Sequence, residues 1–326
     1  MFEVIFLGTS ASAPSIQRGL PALIVLANEY RFLVDCGEGT QRQILKSGIG
    51  FRRLNHILLT HSHLDHILGL GGLVSTFIRW EEGIEGINIY GGMATLERVH
   101  DLIFNIVVRG APVPIPINLI PIEAGDVIVE DKHMKVTAVP VIHRGPGCFG
   151  FVFQQHDHRQ FNPEKATELG VPNGPERALL VKGENITLAD GRVITPNDVL
   201  GEVVPGAKLV VIGDVGDTES LRPYVKDADC LVIEATYLEE ERWMAGEVGH
   251  LTAIQAAELA KAANVKTLIL THISRRNHDH DVRQEARSVF SGTYVARDFD
   301  HYAIARAKPV QKLPPPNRRS EKAEDK

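Results

Sequence analysis

Between His61 and His66 the chain gathers three imidazoles and a carboxylate within six residues, in the stretch Thr60-His61-Ser62-His63-Leu64-Asp65-His66. The cluster follows a short apolar run at 55–60, so it sits on a loop at the C-terminal edge of a strand. Nitrogen and oxygen donors aimed at one place from such a loop suit zinc. His61 and His63 are two residues apart in an extended segment, face the same way and can share one ion, while Asp65 and His66 turn toward a second. The alternative is a solvated His-rich loop, but chance seldom produces HxHxDH directly behind a strand.

One loop cannot supply the four to six donors that such a centre takes. His143 follows a strand-like run at 136–141, Asp214 follows 208–212, and His272 follows 267–271. Any one of them alone could be a surface residue; the repeated pattern of strand and then donor points to a single sheet edge. Asp35 follows the run 31–34 and either orients a ligand histidine from behind or is a turn carboxylate ahead of Gly37. Glu234 ends the run 230–233, and His250 stands before Leu251-Thr252 and an alanine-rich helix. Both are candidates for proton transfer; the plainer reading of His250 is a polar residue at a helix entry capped by Thr252. His156 and His158, and His278 and His280 in a polar loop RRNHDHD, read as solvated. Cys36, Cys148 and Cys230 read as buried rather than ligating.

The elements that must position these residues alternate in kind. Strands are expected at 2–7, 22–26 and 31–34, then a helix at 37–47, a strand before the cluster and a helix at 68–80. A strand at 87–90, a helix at 94–105 and strands at 117–122, 127–129 and 135–141 follow. After residue 206 come strands at 208–212, 230–234 and 267–271, with a helix at 252–263. Two strand-and-helix halves fit an α/β fold of αββα layering, sheets inside and helices outside. Residues 156–206 are rich in Gly, Pro and charge; a structureless loop of that length is unusual in a compact domain, so they read as a projecting insertion with a small hairpin of its own. The stretch 307–326 is proline-rich and charged and reads as a disordered tail.

The chain has 326 residues, 44% hydrophobic and 23% charged, with a formal net charge of −6. That allows a sizeable core and disfavours a general nucleic-acid binder, so any RNA contact needs a local patch. Three widely spaced cysteines without CxxC suit a reduced, cytoplasmic setting. The sequence opens on a strand-like run without the features of a signal peptide, and no apolar run is long enough to span a bilayer.

Taken together, HxHxDH, His143, Asp214 and His272 resemble the metallo-β-lactamase superfamily, and the chain more narrowly resembles the ribonuclease Z family of tRNA 3′-processing endonucleases. FLGTSASAPSIQRG is similar to that family's first loop and FLVDCGEGTQRQI to its second motif. HRGPGCFGF resembles the third, with Phe151 where tyrosine is usual. EATY is similar to the HEAT motif with Ile233 in place of histidine. HLTAIQAAELA is similar to the HST motif with Leu251 for serine, and THISRR resembles the final ligand motif with Arg276-Asn277 for RY. The resemblance runs from Met1 to about Arg306, so residues 1–306 are expected to form the metallo-β-lactamase-like domain. Residues 156–206 occupy the place of the family's flexible arm, which grips the tRNA elbow. GVPNGP, with Gly174 and Pro175, resembles the arm's Gly-Pro motif, and Lys165, Arg177, Lys182 and Arg192 are the arm's candidate phosphate contacts. A homodimer is implied.

The resemblance implies two Zn2+ per subunit, with manganese or iron as alternatives: one held by His61, His63 and His143, the other by Asp65, His66 and His272. Asp214 bridges them, or Asp217 in the other register of GDVGDT. It further implies attack by metal-activated hydroxide on the phosphodiester after the discriminator nucleotide of precursor tRNA, leaving a 3′-hydroxyl on the tRNA and a 5′-phosphomonoester on the trailer. Asp65 would position and deprotonate the water, and Glu234 with His250 would protonate the leaving oxygen. Two other readings stand beside this one: a hydrolase of the same fold acting on a small ester, and, more remotely, a non-catalytic RNA-binding protein.

Overall fold

A computed structural model describes residues 1–79 and 84–316. By contacts the chain divides into two compact units, 1–154 with 207–326, and 155–206.

The first unit is built on two sheets. One runs, edge to edge, Gln311–Leu313, His301–Ile304, Phe2–Gly8, Ala22–Ala27, Tyr30–Val34, His56–Leu58, Ile87–Gly91 and Ile117–Pro121. Its first five strands pair antiparallel and its last four, from Tyr30–Val34 on, pair parallel. The other runs Thr293–Val295, Leu268–Thr271, Cys230–Glu234, Lys208–Val211, Phe149–Gln155, Met134–Pro140 and Val127–Glu130, and its first four strands are parallel. The inner faces of both sheets meet in one core: Phe2 and Phe32 of the first close edge-on around Phe153 of the second, at centroid distances of 6.2 and 5.4 Å. Truncating such a buried ring costs about 3–5 kcal/mol. Helices Thr40–Ser47, Gly69–Arg79 and Met93–His100 cover the outer face of the first sheet, and Ala253–Ala262 and Asp279–Val289 that of the second. This is the αββα layering expected from the sequence.

Parallel strands force crossovers, and so put the loops that leave their C-terminal ends on one edge. Asp35, the HxHxDH loop, Asp214, Glu234 and His272 all stand at that edge. Thr252 enters the alanine-rich helix through a reciprocal cap: its hydroxyl accepts from Gln255 N at 3.2 Å while Gln255 Oε1 accepts from Thr252 N at 2.9 Å. Such a cap is worth about 1 kcal/mol, and it fixes the segment that carries His250.

Several elements differ from expectation. Phe149–Gln155 is a central strand that the sequence did not announce. The expected helix at 94–105 is helical only to His100 and then widens into π-type turns over Asp101–Val108, closed by Arg109 N on Phe104 O at 3.0 Å. The stretch around His278 and His280 is only half a loop: residues 275–278 are irregular, His278 precedes the helix Asp279–Val289 and His280 lies in its first turn, both exposed. The tail read as disordered contributes the strand Gln311–Leu313, because its backbone groups find partners on His301–Ala303; residues 317–326, and Trp80 of the expected helix 68–80, lie outside the described residues.

The second unit holds helices Pro163–Glu168, Pro175–Val181 and Pro196–Val199. Its strands His158–Phe161 and Leu200–Val204 pair with each other, as do Ile186–Thr187 and Val193–Ile194. Its small core is Ala166, Val171, Leu180, Ile186, Ile194 and Val199.

Candidate metal centre

Seven side chains converge at the shared strand edge. Ligand-type atoms of His61, His63, His143 and Asp214 lie within 4.8 Å of one another, and so do those of Asp65, His66 and His272. Asp214 stands between the sets: Oδ2 is 3.6 Å from His61 Nε2 and 3.4 Å from His66 Nε2, while Oδ1 is 3.3 Å from His272 Nε2. Asp65 Oδ2 lies 3.7 Å from His66 Nε2 and 3.6 Å from His272 Nε2. Asp217, the other register, points away and accepts Ser220 N at 2.9 Å in a turn. Gly213 is required beside Asp214, since a Cβ there would come within 2.8 Å of Thr60 Oγ1.

The outer nitrogens of four histidines are held so that the inner ones are free to ligate. His66 Nδ1 donates to Asp35 Oδ2 at 2.7 Å, and His143 Nδ1 donates to Gly249 O at 2.7 Å. His272 Nδ1 donates to Thr236 Oγ1 at 2.8 Å, whose own proton goes to Glu234 Oε2 at 2.6 Å. His61 Nδ1 lies 3.0 Å from Thr60 Oγ1, which donates to Asp35. His63 instead turns Nδ1 inward, 3.3 Å from His143 Nε2. Asp35 also accepts Thr60 N at 2.8 Å, and Ser12 N donates to Asp65 Oδ2 at 3.0 Å. Thr60 and Thr236 were not singled out in the sequence; their only signal is a hydroxyl next to a ligand motif, Thr60 ahead of HxH and Thr236 within EAT. Asp35 and His272 adopt left-handed backbone angles, φ 59° and 55°, a region uncommon for residues with a β-carbon, though Asp and His enter it more readily than most.

These positions result in four buried polar atoms with no hydrogen-bond partner: the Nε2 atoms of His61, His66 and His272, and Asp214 Oδ1. Native interiors rarely leave such atoms unpaired, and all four face the same centre. The charges agree. Burial would raise Asp214, yet the His272 and His66 imidazoles hold its carboxyl well below the usual range. Burial would lower His66, yet Asp214 and Asp35 hold it well above its ordinary value. Burial and His66 together push His61 far down. A centre that keeps its carboxylates ionised and draws a proton onto one ring favours a cation, so the donor set fits a metal.

Beside the ring, Glu234 is fully buried and accepts four hydrogen bonds: from Val215 N at 2.8 Å, His250 Nδ1 at 2.8 Å, Thr236 Oγ1 at 2.6 Å and Leu251 N at 3.3 Å. It therefore stands behind His250. Burial would lower His250, but Glu234 outweighs it and raises the imidazole to about 9. His250 Nδ1 also lies 3.9 Å from Asp214 Oδ2.

Within the second unit, Gly174 precedes the helix that begins at Pro175. Lys165 and Lys182 are exposed. Arg177, expected to face a phosphate, bonds instead to Thr167 Oγ1, Pro172 O and Val171 O and lies over the Phe161 ring at 5.9 Å. Arg192 is paired with Asp190 at 2.7 Å. Arg159 and Arg177 donate to backbone carbonyls of their own unit, Gly201 O, Leu200 O, Pro172 O and Val171 O.

The family described as beta-lactamase superfamily domain matches this chain at residues 30–162 and 159–273. A protein of Bradyrhizobium diazoefficiens named Ribonuclease Z is 47% identical over 93% of this chain and 100% of its own length. One of the same name from Archaeoglobus fulgidus is 40% identical over 92% and 96%. Among solved structures, the short form of human tRNase Z superposes with a TM-score of 0.62 at 26% identity, covering 93% of this chain and 99% of that one. The metallo-beta-lactamase fold protein YhfI of Bacillus subtilis shares the fold at a TM-score of 0.67 and 19% identity, covering 93% and 100%. The residues that converge here thus lie in a chain matched over 93% of its length, and the chain belongs to the ribonuclease Z family of the beta-lactamase superfamily.

Proposed function

We propose that this chain is a hydrolytic endoribonuclease that removes the 3′ trailer from precursor tRNA, cutting after the discriminator nucleotide. The observation that carries the reading is the ring of unpartnered donor atoms, set in a chain 47% identical to a full-length protein named Ribonuclease Z.

His61, His63 and His143 would hold one ion, Asp65, His66 and His272 a second, and Asp214 would touch both; imidazole-rich ligation favours zinc, with manganese or iron as alternatives. Two such ions, when bound, supply acidification of a water and neutralisation of charge on the phosphodiester oxygens. Asp65, fixed on one oxygen by Ser12 N, orients the attacking water and accepts its proton. His250 donates its Nε2 proton to the departing 3′-oxygen. Glu234 does not reach the substrate; it positions His250 through Nδ1 and favours the protonated ring, so the proton-donating form is present below about pH 9 and lost above it.

Lys165, Lys182 and the Gly174-Pro175 turn would contact the RNA, and a homodimer and a cytoplasmic location complete the reading. Among the described residues no helix is long and apolar enough to cross a membrane. One observation favours a second reading, a phosphodiesterase for small esters: residues 156–206 carry five Lys and Arg against eight Asp and Glu, and Arg159, Arg177 and Arg192 are engaged within their own unit.

The test is cleavage of a 3′-extended precursor tRNA by zinc-loaded protein, with the product end mapped. A single cut after the discriminator is expected. Hydrolysis of bis(p-nitrophenyl) phosphate with the RNA left intact would transfer the substrate to the small-ester class.

A further inference from the structure

We propose that Tyr237 and Arg276 form the platform on which the base of the nucleotide carrying the leaving 3′-oxygen stacks. This rests on the reading above, in which His250 protonates that oxygen. The sugar bearing it must then lie against His250, and its base one glycosidic bond farther out.

Tyr237 is the aromatic residue there: its ring centroid is 6.1 Å from that of His250, inclined at 49°. Its backbone is tied to the segment carrying His250, with Tyr237 N on Leu251 O at 3.2 Å and Ala253 N on Tyr237 O at 3.0 Å. Position and catalytic ring are therefore set by the same strap. The Arg276 guanidinium lies over the Tyr237 ring, 5.7 Å from its centroid. Glu241 holds it in place at 3.1 Å and Met244 Sδ lies 3.7 Å away, yet its side chain is 53% exposed. The loop bearing Arg276 is tied in turn to the end of the Glu234 strand, through Asn277 Nδ2 on Thr236 O at 3.2 Å.

A surface arginine ordinarily samples many rotamers, and an isolated exposed ion pair contributes little. Here ring, carboxylate and thioether fix one flat cation beside the proton donor with its outer side open. Bases stack on aromatic rings and on guanidinium planes, and a plane already ordered costs less to use. Stacking accepts any base, and it sets how far the chain threads before the phosphodiester reaches the ring. Tyr237 and Arg276 are positioning residues in this scheme.

The experiment is single-turnover cleavage of two precursor tRNAs at subsaturating zinc-loaded enzyme, one with a normal discriminator and one abasic at that position. The wild type should cut the abasic RNA roughly five- to 150-fold more slowly, the range of one stacked base. Arg276→Lys keeps the charge and loses the plane; it should lose a similar factor on the normal RNA and nothing further on the abasic one. Tyr237→Ala should behave likewise, and Tyr237→Phe like the wild type. Equal losses on both RNAs, or none on either, overturn the proposal. Should Tyr237→Ala fail to fold, as a thermal melt would show, Arg276→Lys on the open side carries the test. A wild type that cuts both RNAs equally refutes stacking alone. One that cuts neither while hydrolysing bis(p-nitrophenyl) phosphate refutes the tRNA reading and the platform with it.

Discussion

Replacing Asp35 by asparagine changes one atom and no volume, yet it should weaken the second half of the centre. Asp35 Oδ1 accepts Thr60 N at 2.8 Å, and Oδ2 accepts His66 Nδ1 at 2.7 Å. With the amide nitrogen in the Oδ2 position, it meets the His66 N–H. The clash is relieved only if the proton moves to Nε2, the atom that faces Asp214 and Asp65. With the nitrogen in the Oδ1 position, it meets the buried Thr60 N–H instead. Either way a buried donor faces a donor, at a cost of about 1–3 kcal/mol, which in a domain of this size lowers the melting temperature by a few degrees. Loss of the outer partner of a ligand histidine weakens metal affinity by about 10- to 100-fold, or ~1.4–2.7 kcal/mol. Competition against a chromophoric chelator at pH 7 would resolve this as one weakened step of two, and excess zinc should restore most of the lost cleavage. Unchanged affinity in both steps, or lost cleavage that zinc cannot restore, would refute the argument that Asp35 works through His66.

Asp65→Ala should abolish nearly all turnover while circular dichroism shows an intact fold; retained turnover would remove Asp65 from the mechanism. Replacing residues 159–203 by an Asn-Gly turn between the cross-strand partners His158 and Val204 should end precursor cleavage and spare bis(p-nitrophenyl) phosphate hydrolysis; loss of both with an unchanged melt would count against a role confined to RNA. Burial would raise Asp279, but Arg18 and Arg297 hold it below the ordinary carboxylate range. Its folded pKa is therefore the lower one, and its stabilising contribution is present above the unfolded value of about 3.9 and lost as pH falls through the folded one. The melting gap between wild type and Asp279→Asn should close in strong acid, and a gap that persists there would rule the linkage out.

The convergence of these histidines and aspartates at one strand edge was legible because donors of that kind leave a mark in residue type and spacing. HxHxDH is local, and His143, Asp214 and His272 each follow a readable apolar run. What was hidden depends on tertiary contact. Thr60 and Thr236 are ordinary residues until their hydroxyls are seen joining a histidine to a carboxylate. Glu234 could be located but not assigned its place behind His250, because burial is not written in one residue. The strand Phe149–Gln155 escaped because Gly150 interrupts its pattern. A Cβ there would lie 2.3 Å from Ile212 Cδ1 and 3.0 Å from the Val211 carbonyl oxygen, so a neighbour would have to shift, and glycine within a strand often marks such an approach. Gln311–Leu313 is too short and too close to prolines to be read without its partner strand. The charge of Arg177 is visible in sequence, while its hydrogen bonds to Pro172 O, Thr167 Oγ1 and Val171 O are not.

The left-handed backbone at Asp35 and His272 bears on how this protein could drift or be engineered. At φ 59° and 55°, glycine would relieve roughly 1–2 kcal/mol of backbone penalty; at His272 it would also delete a buried, unpartnered nitrogen. At position 272 the same change would also empty the space of a buried imidazole and break its Nδ1 bond to Thr236, costs that offset the backbone relief, and it would dismantle the proposed centre. A stabilising campaign on this chain must therefore hold fixed the strand ends and the short helix Leu64–Ile67 that carries Asp65 and His66, because there durability and chemistry pull on the same atoms.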